Sequence, residues 1–248
     1  MLGIDPWVVE DEIKIYLDAR PIWQCLRVMN PHQAPTIKAE IEKLLKVGFI
    51  YPVPLTKWGA NPILVDKKWG IIYVCNDFRD LNQSFPENNF LAPFIDHILD
   101  ECVGSKVFSF MDGFSRYNQI QIKLEDQHKT AFICPWGTFA YRKMPFGLKN
   151  AEATFQRAMT LIFHDLKSII ELFLDDLAAH SCMIMRHSYH LRLVFERCRH
   201  YLVRLNPHKC IFLHEVWSLI RVHCLQGGYK SWPFEGRGNT LVVSLGKH

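Results

Sequence analysis

The 248-residue chain reads as a mixed α+β protein, and three observations carry that reading. Short β-rich runs such as Pro62-Ile-Leu-Val-Asp66 and Val107-Phe-Ser-Phe-Met-Asp112 are interleaved with stretches whose apolar residues recur at helical spacing. No internal repeat is visible, which excludes solenoids and propellers. With 49% hydrophobic and 22% charged residues, the chain has enough apolar material for a globular core and too much for a largely disordered protein.

The elements follow in order. Residues 1 to 34 mix Pro6, Pro21 and Pro31 with aromatics and have no period, as in an extended lead-in arm. Ile37, Ile41, Leu44 and Leu45 then predict an amphipathic helix, with Lys38, Glu42 and Lys46 on its other side and Gly48 as its left-handed stop. Pro62 to Asp66 and Ile71 to Cys75 read as two strands joined by the basic turn Lys67-Lys-Trp-Gly70, hence a hairpin. A helix is expected over Phe94 to Asp100 and a strand over Val107 to Met111. A further pair of strands spans Gln119 to Lys123 and Thr130 to Ile133, and Thr138 to Arg142 continues the sheet. Asn150 to Leu166 is helical by its stripe of Ala153, Phe155, Met159, Ile162 and Phe163. Ile169 to Leu174 is β-rich and ends at Asp175 and Asp176, His187 to Leu202 is again helical, and Cys210-Ile-Phe-Leu213 is a short strand. Beyond Trp217 the periodicity fades.

A formal charge of +4 and a pI near 8.6 suit a polyanionic partner without requiring one. The eight cysteines contain no C-x-x-C pair and read as reduced thiols, mostly core filler. The acidic first residues do not resemble a secretory signal, and no apolar stretch approaches the roughly 18 to 20 residues of a membrane span. The expectation is an intracellular, soluble protein with no membrane partner, its compartment open.

The residues that carry chemistry are carboxylates at strand ends. Asp112 closes one apolar strand, and Asp175 with Asp176 closes another; if the strands are neighbours in one sheet, three acids cluster. Oxygen-only ligands of this kind suit Mg²⁺ or Mn²⁺, and a pair of such ions is the general device of in-line phosphoryl displacement. Acids at strand ends are also common turn residues, so spacing alone leaves that alternative open. His180, Cys182, His187 and His190 fit no common zinc spacing and read as a solvated loop with a helix start. Trp58, Trp136 and Trp232 read as core or rim packing, and no Walker-type phosphate loop is present.

Eight motifs in order decide between the readings: Ile50-Tyr-Pro52, Asp77-Phe-Arg-Asp-Leu-Asn82, Phe108-Ser-Phe-Met-Asp112, Tyr117-Asn-Gln-Ile120, Lys129-Thr-Ala-Phe132, Met144-Pro-Phe-Gly-Leu-Lys-Asn-Ala151, Thr154-Phe-Gln156 and Leu205-Asn-Pro-His-Lys-Cys210. Over about Pro21 to Cys210 the chain resembles the reverse transcriptase domain of a gypsy-type LTR retrotransposon, part of a Pol polyprotein. The resemblance implies a right-hand polymerase fold. Its first fingers part would span 36–93, palm 94–118, second fingers part 119–152 and second palm part 153–215, after an arm over 1–35 and before a degenerate tail over 216–248, with the thumb truncated or degenerate. It further implies two ions, Mg²⁺ or Mn²⁺, held by Asp112, Asp175 and Asp176, and an RNA or DNA template with primer and dNTP as partners. Tyr117 would stack beneath the incoming sugar, Lys67 or Lys68 would meet the triphosphate, Arg79 the template, and Phe146 with Gly147 would line the nucleotide pocket.

Four residues depart from the family pattern. Tyr73 stands where the family has an arginine that forks onto the triphosphate, a contact worth about 1.5 to 3 kcal/mol. Arg116 takes the place of a glycine before Tyr117, and a positive φ there would add about 1 to 2 kcal/mol of strain. Glu152 brings negative charge toward an anionic substrate, and Phe173 lacks a tyrosine's hydroxyl. The two readings that follow are an RNA-directed DNA polymerase domain and a non-catalytic remnant that binds nucleic acid. The absence of recognisable ribonuclease H, protease or integrase motifs fits a fragment of a polyprotein.

Overall fold

The computed structural model describes residues 3–28, 30–66, 72–90, 94–173 and 176–214, which form β1 (Glu10–Asp11), α1 (Ala34–Lys46), β2 (Ile50–Pro52), β3 (Pro62–Asp66), β4 (Ile72–Asn76), α2 (Arg79–Gln83), α3 (Ile95–Glu101), β5 (Val107–Asp112), β6 (Gln121–Ile122), β7 (Phe132–Cys134), β8 (Gly137–Tyr141), α4 (Ala151–Ile162), β9 (Ile170–Phe173), β10 (Asp176–Ser181), α5 (Ile184–His200) and β11 (Ile211–His214). The mixed α+β class stands. α1 follows its sequence closely: a proline opens it, Ile37 and Ile41 are buried, Lys43 and Lys46 face the negative end of its dipole, and Gly48 follows at φ +75°. β3 and β4 pair antiparallel as the expected hairpin, while its turn, with Lys67 and Lys68, lies outside the described residues.

The main sheet has the order β11-β5-β10-β9, with every neighbour antiparallel. β5 is buried along its whole length, which is why its sequence is mostly apolar, with Ser109 and the terminal Asp112 as its polar residues. Its alternate residues serve two layers. Met111, with Leu177 and Ala179 of β10, joins the large core containing Phe155 and Met159 of α4 and Val194 and Cys198 of α5. Phe108 and Phe110, with Ala178, form a smaller core with Cys102 and Leu99 of the α3 segment. A second sheet, β2-β8-β7, lies apart from the first in the pairing scheme.

Two expectations are corrected. The runs around Gln119–Lys123 and Thr130–Ile133 do not pair with each other. The first shortens to a 3₁₀ turn over Arg116–Gln119 and the two-residue β6, and β6 pairs in parallel with β1. The second, as β7, pairs with β8. The unperiodic arm is the reason, because its extended backbone supplies the hydrogen-bonding edge that β6 takes, and Ile4, Val9 and Ile13 are buried in the main core.

The second correction concerns the segment read as a solvated histidine loop. His180 and Ser181 belong to β10 and are buried, and His187 is fully buried on α5. Serines satisfy most of their nitrogens: Ser105 Oγ lies 2.8 Å from His180 Nδ1, Ser109 Oγ 2.7 Å from His187 Nε2, and Ser181 Oγ 2.9 Å from His187 Nδ1 and 2.7 Å from His190 Nδ1. Of the cysteines, Cys102, Cys134 and Cys198 are buried, whereas Cys25 and Cys182 are exposed; all described cysteines are free thiols.

Candidate functional site

Antiparallel pairing brings two of the three candidate acids together. Residue Asp176, first in β10, sits directly opposite Asp112, last in β5. The neighbour of β5 is therefore the second strand of the β9–β10 hairpin, which the sequence did not reveal. Asp175 lies outside the described residues. Among the described residues no three His, Cys, Asp or Glu side chains form a metal-binding group.

The Asp112 carboxylate is buried and meets two cations. Arg116 Nη2 donates to Oδ1 at 3.2 Å, and Lys209 Nζ lies 3.0 Å from Oδ2. Lys209 was part of a matched motif but carried no assigned role; only the tertiary fold places it here. The main chain fixes that approach. Asn206 N donates to Asp112 O at 2.8 Å, and Phe114 N to Arg204 O at 2.8 Å. Gln119, wholly buried, ties the same two segments together: its Nε2 donates to the carbonyls of Phe114 and Arg204, and its Oε1 accepts from Arg204 N.

Ser115 and Arg116 have φ of +56° and +32°. Arg116 thus occupies the backbone conformation that favours glycine, as its motif position suggested, at a cost of about 1 to 2 kcal/mol. The turn presents Tyr117, whose ring packs edge-on to Phe155 of α4 at 6.0 Å between centroids and tilted against Phe146 at 6.2 Å. Tyr117, Phe146 and Gly147 therefore belong to one wall, with Phe146 mostly exposed. Gly147 has φ +99°, and a Cβ there would come 3.6 Å from Asn76 O. Asn82 clamps the loop by donating from Nδ2 to Gly147 O at 2.8 Å and accepting from Lys149 N at 2.9 Å. Glu152 is exposed in the first turn of α4.

Arg79 opens α2 with its side chain largely in solvent and its guanidinium held by Asp77. Its Nε and Nη2 donate to the two Asp77 oxygens at 2.7 Å each, and Arg27 Nη2 adds a third bond at 2.9 Å. The Arg79 and Arg27 guanidiniums hold the Asp77 carboxyl at about 2, well below the usual carboxylate range. Sequence reasoning missed Asp77 as an anchor, although its place two residues before Arg79 was a usable signal. Tyr73 lies on β4 opposite Val65.

Comparison with known proteins fits this geometry. The family described as "Reverse transcriptase (RNA-dependent DNA polymerase)" matches residues 65–236. The chain is similar to the retrovirus-related Pol polyprotein from transposon 412 of Drosophila melanogaster, 33% identical over 202 residues that cover 77% of this chain and 16% of that polyprotein. It is also similar to the transposon Tf2-3 polyprotein of Schizosaccharomyces pombe, 30% identical over 203 residues covering 81% and 15%. The chain thus spans 15–16% of the length of these curated relatives. Among solved structures, the foamy viral protease-reverse transcriptase in complex with RNA/DNA hybrid superposes with a TM-score of 0.73 at 20% identity, over 82% of this chain and 27% of that one. The same enzyme in complex with ds DNA gives 0.73 at 21% identity, over 82% and 35%. These matches show the palm-and-fingers polymerase fold.

Proposed function

Because the chain belongs to the reverse transcriptase (RNA-dependent DNA polymerase) family, we propose that it is the polymerase domain of a retrotransposon Pol polyprotein and extends a primer by template-directed nucleotidyl transfer. The observation that carries this reading is the register that sets Asp112 against Asp176 at the end of the main sheet, one turn away from Tyr117. The donor set fits hard divalent cations, which the family generally uses, because it is made of carboxylate oxygens alone. Asp112, Asp175 and Asp176 would hold two Mg²⁺ or Mn²⁺ ions, which when bound supply Lewis acidity for attack of a primer 3′-hydroxyl on the α-phosphorus and for release of pyrophosphate.

The other residues bind and orient. Tyr117, braced by Phe155, offers a flat ring beneath the sugar of a dNTP and excludes a 2′-hydroxyl by contact. Phe146 and Gly147 line the same pocket, Lys67 or Lys68 meets the triphosphate, and Arg79 contacts the template strand from its Asp77 anchor. The foamy viral complexes with ds DNA and RNA/DNA hybrid, together with a net charge of +4, support a nucleic-acid partner for this chain.

Primer extension on an RNA template with Mg²⁺ or Mn²⁺ tests the proposal. Extension is expected, and Asp112→Asn or Asp175→Asn should each lower it by at least about a hundred-fold, the scale of losing one transition-state electrostatic contact. Salt-sensitive template binding without extension under either metal would leave only the non-catalytic remnant.

A further inference from the structure

The Asp112 carboxylate meets two positive groups of its own chain, and the two differ in kind. Lys209 reaches it from a long, largely solvated stem, whereas Arg116 is mostly shielded from solvent and rooted four residues after Asp112. The root is a turn of two successive left-handed residues, Ser115 and Arg116, neither of them glycine. Such a conformation persists only where its surroundings enforce it. Here Asn118 N bonds to Ser115 O at 2.9 Å, and the buried Gln119 locks the far side of the turn to Phe114 and Arg204. The turn thereby aims the guanidinium back at Oδ1.

We propose that Arg116 is a tethered counter-ion that competes with a divalent cation for Asp112, so that engagement of one displaces the other. The proposal rests on the reading of Asp112 as a metal ligand. A divalent ion of Mg²⁺ size sits about 2.0 to 2.1 Å from a ligating oxygen. With Arg116 Nη2 at 3.2 Å from Oδ1, an ion on that oxygen would lie at most about 5.3 Å from it. In a largely buried site their repulsion is several-fold stronger than in water. The coupling is reciprocal: whatever factor the guanidinium takes from ion affinity, neutralising it returns. The glycine expected from the family pattern has no such charge, so this competition is a property of this chain.

Mn²⁺ titration of the full chain without nucleic acid or nucleotide, read by the EPR signal of free Mn²⁺, tests the idea. The variants are Arg116→Gln, Arg116→Lys and each background combined with Asp112→Asn. Glutamine removes the charge yet keeps a side chain on the same strained backbone, so turn strain is not relieved. Arg116→Gln should bind Mn²⁺ about ten- to a hundred-fold more tightly than the native chain, as for loss of one charge-assisted contact. Arg116→Lys should stay within a few-fold of the native chain, and Asp112→Asn should erase the gain. Equal affinity of Arg116→Gln and the native chain, with Asp112→Asn weakening both, would overturn the competition while leaving Asp112 as a ligand. Affinity indifferent to Asp112→Asn in every background would overturn both readings. Near-native thermal unfolding of each variant verifies the fold, and Arg116→Lys bound as tightly as Arg116→Gln would also refute a role for the charge.

Discussion

At the scale of single residues, carboxylates at the ends of apolar strands were legible as site residues only through the ordered motifs around them, since acids at strand ends are also common turn residues. Their partners were not. Asp77 shows the difference: its side chain is 1% exposed, yet one of its two arginines, Arg27, comes from the unperiodic arm. Asp77→Asn should cost about 1.5 to 3 kcal/mol at neutral pH and weaken template binding by releasing Arg79, checked by urea denaturation and a binding isotherm. The pH sign follows from the lowered carboxyl. Its contribution is fully present above the ordinary 3.8 and is lost as pH falls through about 2, so the Asn variant should lack that part of the acid loss. Unchanged stability at pH 7 would contradict the anchor. Arg116 was legible as an oddity from its motif position, but its grip on Asp112 depends on the φ of two residues, which no pattern of residue types reports.

At the scale of elements, helices with a clean period and a stop, such as α1, were readable to within a residue or two. β10 was missed because Asp176-Leu-Ala-Ala-His-Ser181 lacks the β-branched and aromatic residues that announce a strand; its pairing with β5 and β9 on either side makes it one. The same oversight hid the histidines. His187 joins β5, β10 and α5 through Ser109 and Ser181, and burial, then the nearby His190 and His180, push its imidazole down to about 4. Between 4 and the ordinary 6.5 the unfolded chain takes up a proton that the folded chain refuses. The stability contribution is therefore whole above 6.5 and falls as the solution is acidified toward 4. Asp11, pushed up to about 6 by burial, acts in the opposite sense between 3.8 and 6, so the informative quantity is a difference between variants. His187→Asn should show a flatter fall in denaturation free energy from pH 6.5 to 4 than the native chain. Equal slopes would mean that the network does not sense protons.

At the scale of the whole molecule, the palm-and-fingers fold was legible from ordered motifs, whereas the role of the N-terminal arm was not, since an extended segment has no period to read. Ile4, Val9 and Ile13 nevertheless fill the main core, and Ile13 is fixed by Asp126, which accepts from its N–H at 2.9 Å, and by Lys129, which donates to its carbonyl at 2.8 Å. Truncating Ile4 and Ile13 together to alanine should cost roughly 4 to 10 kcal/mol, at about 2 to 5 for each isoleucine. That is comparable with the whole stability of a typical domain, about 5 to 15 kcal/mol. A melting temperature close to native for that double variant would show the arm to be dispensable. The parallel ladder of Glu10 with Gln121 and Asp11 with Ile122 also has a meaning in time. Synthesis at about 5 to 20 residues per second delivers the second strand of this ladder roughly 5 to 20 s after the first. Throughout that interval the apolar arm waits beside a nascent chain that cannot yet cover it, so chaperone capture at the ribosome should be densest on the arm and should fall once residue 122 has emerged.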